Sequence, residues 1–143
     1  MVLPRFQVLP QGILFYRQGI AKMNLTKRQI LNQLDQFTGT PYYYPLWPKV
    51  MLTDGTKYLA ETVGCYWLMD AIASHILHLP KKETFAGCML VKLKQGAELV
   101  IDDGNGNVLA KQHIRYTDFP LDSMRLYACW GEERWIILLP SEY

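Results

Sequence analysis

The sequence predicts a single α+β domain, because helical periodicity in its first half gives way to two-residue alternation in its second half. Between Val63 and Leu77 the apolar residues recur at intervals of three and four, which is typical of a helix. From Phe85 to Leu139 apolar residues alternate with polar ones, and turn sequences separate the segments. We therefore predict an N-terminal short helix and β-hairpin, then one long central helix packed on an antiparallel β-sheet of about five strands.

The N-terminal part of the domain begins with a short helix. Thr26 is a good N-cap and Gln29, three residues later, completes a capping box, so we predict a helix over residues 27–37 that Gly39 ends. Residues 1–22 follow neither period, and we interpret them as an N-terminal extension or as an arm that docks on the body or on a partner. The domain is then residues 23–143, and we expect it to fold without residues 1–22.

A loop or sheet edge is predicted for the aromatic segment Pro41–Pro48, because its prolines exclude a helix and a central strand. The next segments, Val50–Thr53 and Thr56–Ala60, flank Asp54-Gly55. Asp-Gly between strand-like residues is a strong hairpin signal, so we predict a β-hairpin here.

The central helix is predicted over residues 63–77, with Pro80 beyond its end. One apolar face holds Cys65, Leu68, Met69, Ile72 and Ile76. Asp70 lies on a second stripe with Tyr66 and Trp67, and a carboxylate among these residues needs hydrogen-bond donors. We expect those donors in the aromatic segment or in the Thr53–Thr56 turn, and we predict that Asp70 stabilises the fold.

The predicted sheet is built from segments that short turns connect, which makes neighbouring strands antiparallel. Trp135–Leu139 is apolar on both faces, so we place this strand near the sheet centre. The five segments are Phe85–Lys94, Ala97–Asp102, Val108–Arg115, Ser123–Trp130 and Arg134–Leu139.

Composition restricts the classes of function. Three cysteines, an odd number, argue against a disulfide framework and favour free thiols in a reducing, cytoplasmic compartment. No apolar run approaches the roughly 20 residues that a membrane-spanning helix needs, so we expect no membrane association. The positive charges are scattered singly, which argues against nucleic acid as a partner. No glycine-rich phosphate loop is present, and we predict no cofactor.

Several short motifs resemble those of an uncharacterised bacterial family, familiar from cyanobacteria and catalogued as a domain of unknown function. The resemblance covers about residues 26–143 and leaves residues 1–22 outside, which favours an N-terminal extension there. It implies no activity, cofactor or site residue. The motifs that carry it are residues 36–40 (QFTGT), 53–55 (TDG) with 57–60 (KYLA), 66–68 (YWL) with 70–74 (DAIAS), 103–107 (DGNGN), 116–120 (YTDFP) and 139–143 (LPSEY).

A cysteine hydrolase is one functional hypothesis. Cys65 near the start of a long helix, followed by His113 and Asp118 on or after later strands, has the order of catalytic elements in papain-like enzymes. However, Cys65 shares an apolar helical face with Leu68 and Ile72, where cysteine is usually an inert core residue. No oxyanion donor is evident before Cys65. We therefore predict a structural role for Cys65 and keep the hydrolase as the alternative.

Metal binding is less favoured. His75 and His78 have a spacing that can bring two imidazoles together, but zinc takes four ligands and no further ligand motif accompanies them. The segment Asp103–Asn107 has the start of a calcium loop without its glycine and glutamate, and a hairpin turn explains it better. We predict no metal site.

A non-enzymatic binding or protein-interaction module is the favoured hypothesis, with an unknown protein partner or self-association. Aromatic side chains with polar tips are enriched where proteins bind partners. We place the binding surface where the aromatic segment meets the C-terminal end of the central helix. Its candidate residues are Tyr42, Tyr43, Tyr44, Trp47, Asp70, His75 and His78.

Overall fold

The computed structural model describes residues 25–143, and the predictions for residues 1–22 fall outside this part. The described chain is a mixed α+β domain with three α-helices and a seven-stranded sheet. In chain order the elements are α1 (Lys27–Leu34), β1 (Tyr43–Trp47), β2 (Val50–Thr53), α2 (Asp54–Val63), α3 (Tyr66–Ile76), β3 (Phe85–Lys92), β4 (Ala97–Asp102), β5 (Val108–Ile114), β6 (Ser123–Gly131), β7 (Arg134–Leu138) and a short 3-10 helix (Pro140–Glu142).

The strands lie in the order β1-β2-β7-β6-β3-β4-β5. All neighbours are antiparallel except β2 and β7, which pair in parallel. The helices cover one face, because the pairing registers place twelve buried strand residues on the same side of the sheet. These residues are Val50, Leu52, Ala86, Cys88, Leu90, Ala97, Leu99, Ile101, Leu126, Ala128, Trp135 and Ile137.

The five strands predicted over residues 85–139 are confirmed as β3 to β7, with ends that differ by up to two residues. The total of about five was too low, because β1 and β2 extend the same sheet to seven strands. Pro45 lies within β1, and β1 is an edge strand, one of the two outcomes that the prolines of the Pro41–Pro48 segment predicted. Strand β7 lies between β2 and β6 in the interior of the sheet. The prediction that this strand, apolar on both faces, lies near the sheet centre is therefore confirmed.

The Asp54-Gly55 hairpin is wrong, since these residues begin helix α2. The Thr53 hydroxyl accepts a hydrogen bond from the Thr56 amide, while the Thr56 hydroxyl accepts one from the Thr53 amide. This reciprocal cap satisfies amide groups that a helix start leaves unpaired, so the chain turns into a helix instead of a second strand. The segment Thr56–Ala60 is therefore helical.

The central helix predicted over residues 63–77 is confirmed in a shorter form as α3 (Tyr66–Ile76), but it is not the single helix expected, because α2 (Asp54–Val63) precedes it and Gly64 separates the two. Gly64 has a φ of 69°, in the left-handed region, and its amide bonds the Ala60 carbonyl. A left-handed glycine ends a helix without the steric cost of a side chain. Cys65 then precedes α3 as its N-cap residue.

Helix α1 has the predicted capping box, with the Thr26 hydroxyl accepting from the Gln29 amide and the Gln29 side chain accepting from the Thr26 amide. The helix ends at Leu34, before the predicted residue 37. Its C-cap residue Asp35 keeps a right-handed backbone (φ −66°), so Gly39 lies beyond the helix and does not end it.

The C-terminus closes over the start of α2. The Glu142 carboxylate accepts hydrogen bonds from the Thr53 hydroxyl (2.6 Å), the Gly55 amide (3.0 Å) and the Leu139 amide (3.0 Å). A carboxylate at a helix N-terminus is favourable because the free amide groups there carry partial positive charge. We call this arrangement the C-terminal clasp.

No helix within residues 25–143 is long and apolar enough to cross a membrane.

Candidate functional site

Two side chains of the aromatic segment fix edge strand β1 to the helices. The Trp47 indole N–H donates to the Asp70 carboxylate (2.9 Å), and the Tyr44 hydroxyl donates to the Asp54 carboxylate (2.6 Å). The prediction that Asp70 finds a donor in the aromatic segment is therefore confirmed. These bonds link β1 to α3 and to α2, which gives Tyr44 and Trp47 structural roles.

A largely buried ionic cluster continues from Tyr44 along α2. The Lys57 ammonium lies 4.8 Å from the centre of the Tyr44 ring and 3.3 Å from the Glu61 carboxylate. The Tyr66 hydroxyl donates to the other Glu61 oxygen (3.3 Å). Burial, followed by the hydrogen bond and charge of Asp54, raises the pKa of the Tyr44 phenol well above its usual value. Because these groups satisfy one another, the cluster positions β1 on α2.

Of the other predicted binding residues, two are exposed tyrosines and two are histidines that each form a hydrogen bond with another residue. Tyr42 is 65% exposed and Tyr43 is 42% exposed, so both rings are accessible to a partner. The His75 ring bonds the Gln112 side chain on β5 (2.8 Å), whereas the His78 ring bonds the Ser74 carbonyl of its own helix (2.8 Å).

Within residues 25–143, no group of three or more His, Cys, Asp or Glu side chains is placed to hold a metal ion. The Asp103 carboxylate accepts hydrogen bonds from the amides of Asn105 and Asn107 and from the Asn107 side chain. These bonds lower the pKa of Asp103, because they favour its charged form. Asp103 thus organises the turn between β4 and β5.

The three residues of the hydrolase hypothesis lie in different environments. Cys65 is 1% exposed, and its thiol points at the Leu59 carbonyl (3.7 Å). His113 is exposed on edge strand β5. Asp118 is exposed in the loop after β5, where it lines a cleft of about 880 Å³ together with Trp67. The burial of Cys65 favours the predicted structural role.

A pocket of about 500 Å³ lies between the C-terminal end of α3, the β1–β2 turn and the β6–β7 hairpin. It adjoins the place where the aromatic segment was expected to meet the helix end. We call it the tryptophan pocket, because two tryptophans from paired strands form one of its walls. Its lining residues are Lys49, Ile76, Leu77, Leu79, Pro80, Lys81, Glu83, Trp130 and Trp135.

The tryptophan wall is fixed by backbone pairing. Trp130 and Trp135 are cross-strand partners on β6 and β7, and their rings meet edge to face with centroids 5.7 Å apart. The Trp135 amide donates to the Lys49 carbonyl (2.8 Å), and the Trp130 amide donates to the Thr84 carbonyl (2.9 Å). Trp135 is 5% exposed but Trp130 is 39% exposed. The pocket therefore has a rigid aromatic wall with free ring surface.

Charged groups surround this apolar wall. Lys49 and Lys81 contribute two ammonium groups, and Glu83 contributes one carboxylate. Lys49 has a φ of 66°, a left-handed conformation that costs a residue with a side chain roughly 1–2 kcal/mol. Non-glycine residues in such conformations concentrate at functional sites, which draws attention to Lys49.

None of the binding residues predicted from the sequence lines this pocket. The signal for the tryptophans was available, since a turn at Gly131–Glu133 implies that Trp130 and Trp135 lie on facing strands. The position of Lys49 beside Trp135 could not be predicted in the same way, because it depends on the parallel pairing of β2 with β7.

The fold defines a class of protein: a small α+β domain with a predominantly antiparallel sheet that helices cover on one face. Within that class, the chain belongs to a family described as "Family of unknown function (DUF6876)", whose sequence model matches residues 28–143. The predicted resemblance to a family of unknown function is thereby confirmed, while its bacterial source stays a prediction. No curated protein and no solved structure matches the chain.

Proposed function

We propose that this protein is a non-enzymatic binding module and that the tryptophan pocket is its ligand site. The observation that carries the proposal is the free surface of Trp130, held against Trp135 in a pocket of about 500 Å³. Ligand pockets in proteins are commonly roughly 300–1,000 Å³ and combine apolar or aromatic walls with a few charged groups. The tryptophan pocket has this size and this chemistry.

The rigidity of the wall supports binding. Both tryptophans lie on paired strands, and the amide of each is hydrogen-bonded to a segment beyond the β6–β7 hairpin. A ligand therefore meets ring surfaces that are already ordered, and less conformational entropy is lost when it binds. The larger cleft, which Trp67 and Tyr116 line, is less favourable, because Tyr116 is 84% exposed on a loop.

The test is titration of the full-length protein with indole, a neutral aromatic probe, monitored by the tryptophan indole N–H signals in NMR spectra. We expect saturable shifts that include the Trp130 and Trp135 signals. Trp130→Ala should abolish the binding while circular dichroism shows an unchanged fold.

The matched control is Tyr116→Ala, which removes an exposed aromatic from the other cleft and should leave indole binding unchanged. If the wild type shows no saturable shift with indole or with its carboxylate analogue, the tryptophan pocket is not a ligand site. Equal loss of binding in Tyr116→Ala would place the site in the cleft instead.

A further inference from the structure

We infer that the tryptophan pocket takes a planar aromatic monocarboxylate and that Lys49 recognises its carboxylate. This inference rests on the proposed function and deepens it by naming the ligand class. Three observations carry it: the charges around the pocket, the shape of its wall and the conformation of Lys49.

Charge around the pocket selects an anion. Lys49 and Lys81 oppose a single carboxylate, Glu83, which leaves one surplus positive charge. Among residues 25–143 no ion pair joins Lys49, Lys81 or Glu83 to another side chain. Lys49 and Lys81 are both exposed, so their ammonium groups are accessible to a bound anion. One surplus charge matches a monoanion better than a phosphate dianion.

The wall of two tryptophans favours a ligand with a planar ring. Trp130 and Trp135 meet at 64° between ring planes, so the exposed surface of Trp130 remains available for stacking. Aromatic rings associate best in offset-stacked or edge-to-face arrangements, and a flat ligand can adopt either against this pair. Ile76, Leu77 and Leu79 supply the facing apolar contacts.

The backbone of Lys49 adopts a left-handed conformation in the turn between β1 and β2. Its φ of 66° favours glycine, and its carbonyl is held by the Trp135 amide. Within the described chain the other non-glycine residues with positive φ are Glu132 and Glu133, in the β6–β7 turn. These two residues do not line the tryptophan pocket, so they provide a control for the backbone effect.

The experiment compares indole-3-carboxylate with indole on the wild type, Lys49→Gln, Lys49→Gly and Glu133→Gly. We expect the wild type to bind indole-3-carboxylate roughly five- to tenfold more tightly than indole. Both lysine variants should lose this preference and keep their affinity for indole. Added salt should weaken binding of the carboxylate more than binding of indole.

Thermal unfolding separates binding from stability. Lys49→Gly and Glu133→Gly should both raise Tm by about 2–5 °C, since each relieves a left-handed side-chain residue. Only the Lys49 variants should change the carboxylate preference. If wild type binds both probes equally, or if Lys49→Gln keeps the preference, the inference is wrong while the proposed function stands. If neither probe binds the wild type, both are wrong.

Discussion

Replacing Glu142 with alanine should destabilise the domain, because the C-terminal clasp would lose its acceptor. In the fold, the Glu142 carboxylate accepts from the Thr53 hydroxyl, the Gly55 amide and the Leu139 amide. Thr53 is 1% exposed, so its hydroxyl gains little from solvent when the carboxylate is removed.

The magnitude follows from these contacts. A hydrogen bond to a charged group contributes about 1.5–3 kcal/mol, and the three bonds share one carboxylate, so their contributions are not additive. We expect Glu142→Ala to lower the free energy of unfolding by about 2–4 kcal/mol, which corresponds to a fall in Tm of roughly 6–15 °C for a domain of this size. Differential scanning calorimetry and urea unfolding measure both quantities.

Two further variants sharpen the test. Ser141→Ala changes an exposed neighbour in the same 3-10 helix and should leave Tm nearly unchanged. Gly55→Ala would place its Cβ 2.5 Å from Leu139 Cδ1 and 2.6 Å from Glu142 Oε1, so the clasp would have to open. The double variant with Glu142→Ala should lose less stability than the sum of the single variants. A Tm for Glu142→Ala equal to that of wild type would refute the reasoning.

Three other outcomes follow from the described contacts. Asp70→Ala should lower the free energy of unfolding by about 1–3 kcal/mol, because the Trp47 indole N–H loses its acceptor, while Asp70→Asn should retain part of that stability; identical urea curves for all three proteins would contradict this. Because the pKa of Tyr44 is raised, folding stability should hold up to about pH 10, the usual tyrosine pKa, and fall above it as the unfolded chain ionises. Tyr44→Phe should show a smaller alkaline loss in urea unfolding, and an equal loss would contradict the assignment. In the native protein iodoacetamide should modify Cys129 first and slowly, because Cys65 is buried and burial raises the pKa of Cys129; mass spectrometry showing rapid modification of Cys65 would favour the hydrolase.

The candidate site was predictable only in part. Tyr44, Trp47 and Asp70 were recognised as a group from their chemistry, and the structure uses Trp47 and Asp70 as partners. The bond between Asp70 and the aromatic segment was expected, whereas the bond from Tyr44 to Asp54 was not, since it depends on Asp54 beginning a helix. The neighbouring pocket was missed because its basic and aromatic residues come from four separate segments of the chain.

The sequence by itself determined the features that depend on neighbours a few residues apart. The capping box at Thr26 and Gln29 is local, and so is the alternation that defines the five strands after residue 85. Pro45 bars β1 from the interior of a sheet and leaves it an edge strand or a loop, because proline cannot donate a ladder hydrogen bond.

Only the tertiary structure decided the features that join distant residues. Asp54-Gly55 suits a hairpin turn and a helix start alike, and the helix start is stabilised here by Glu142, 87 residues away from Gly55. The parallel pairing of β2 with β7 likewise brings Lys49 to Trp135 and so forms the tryptophan pocket. The local sequence is compatible with more than one structure at such positions. Contacts between distant segments stabilise one of these structures, and those contacts form only in the folded chain.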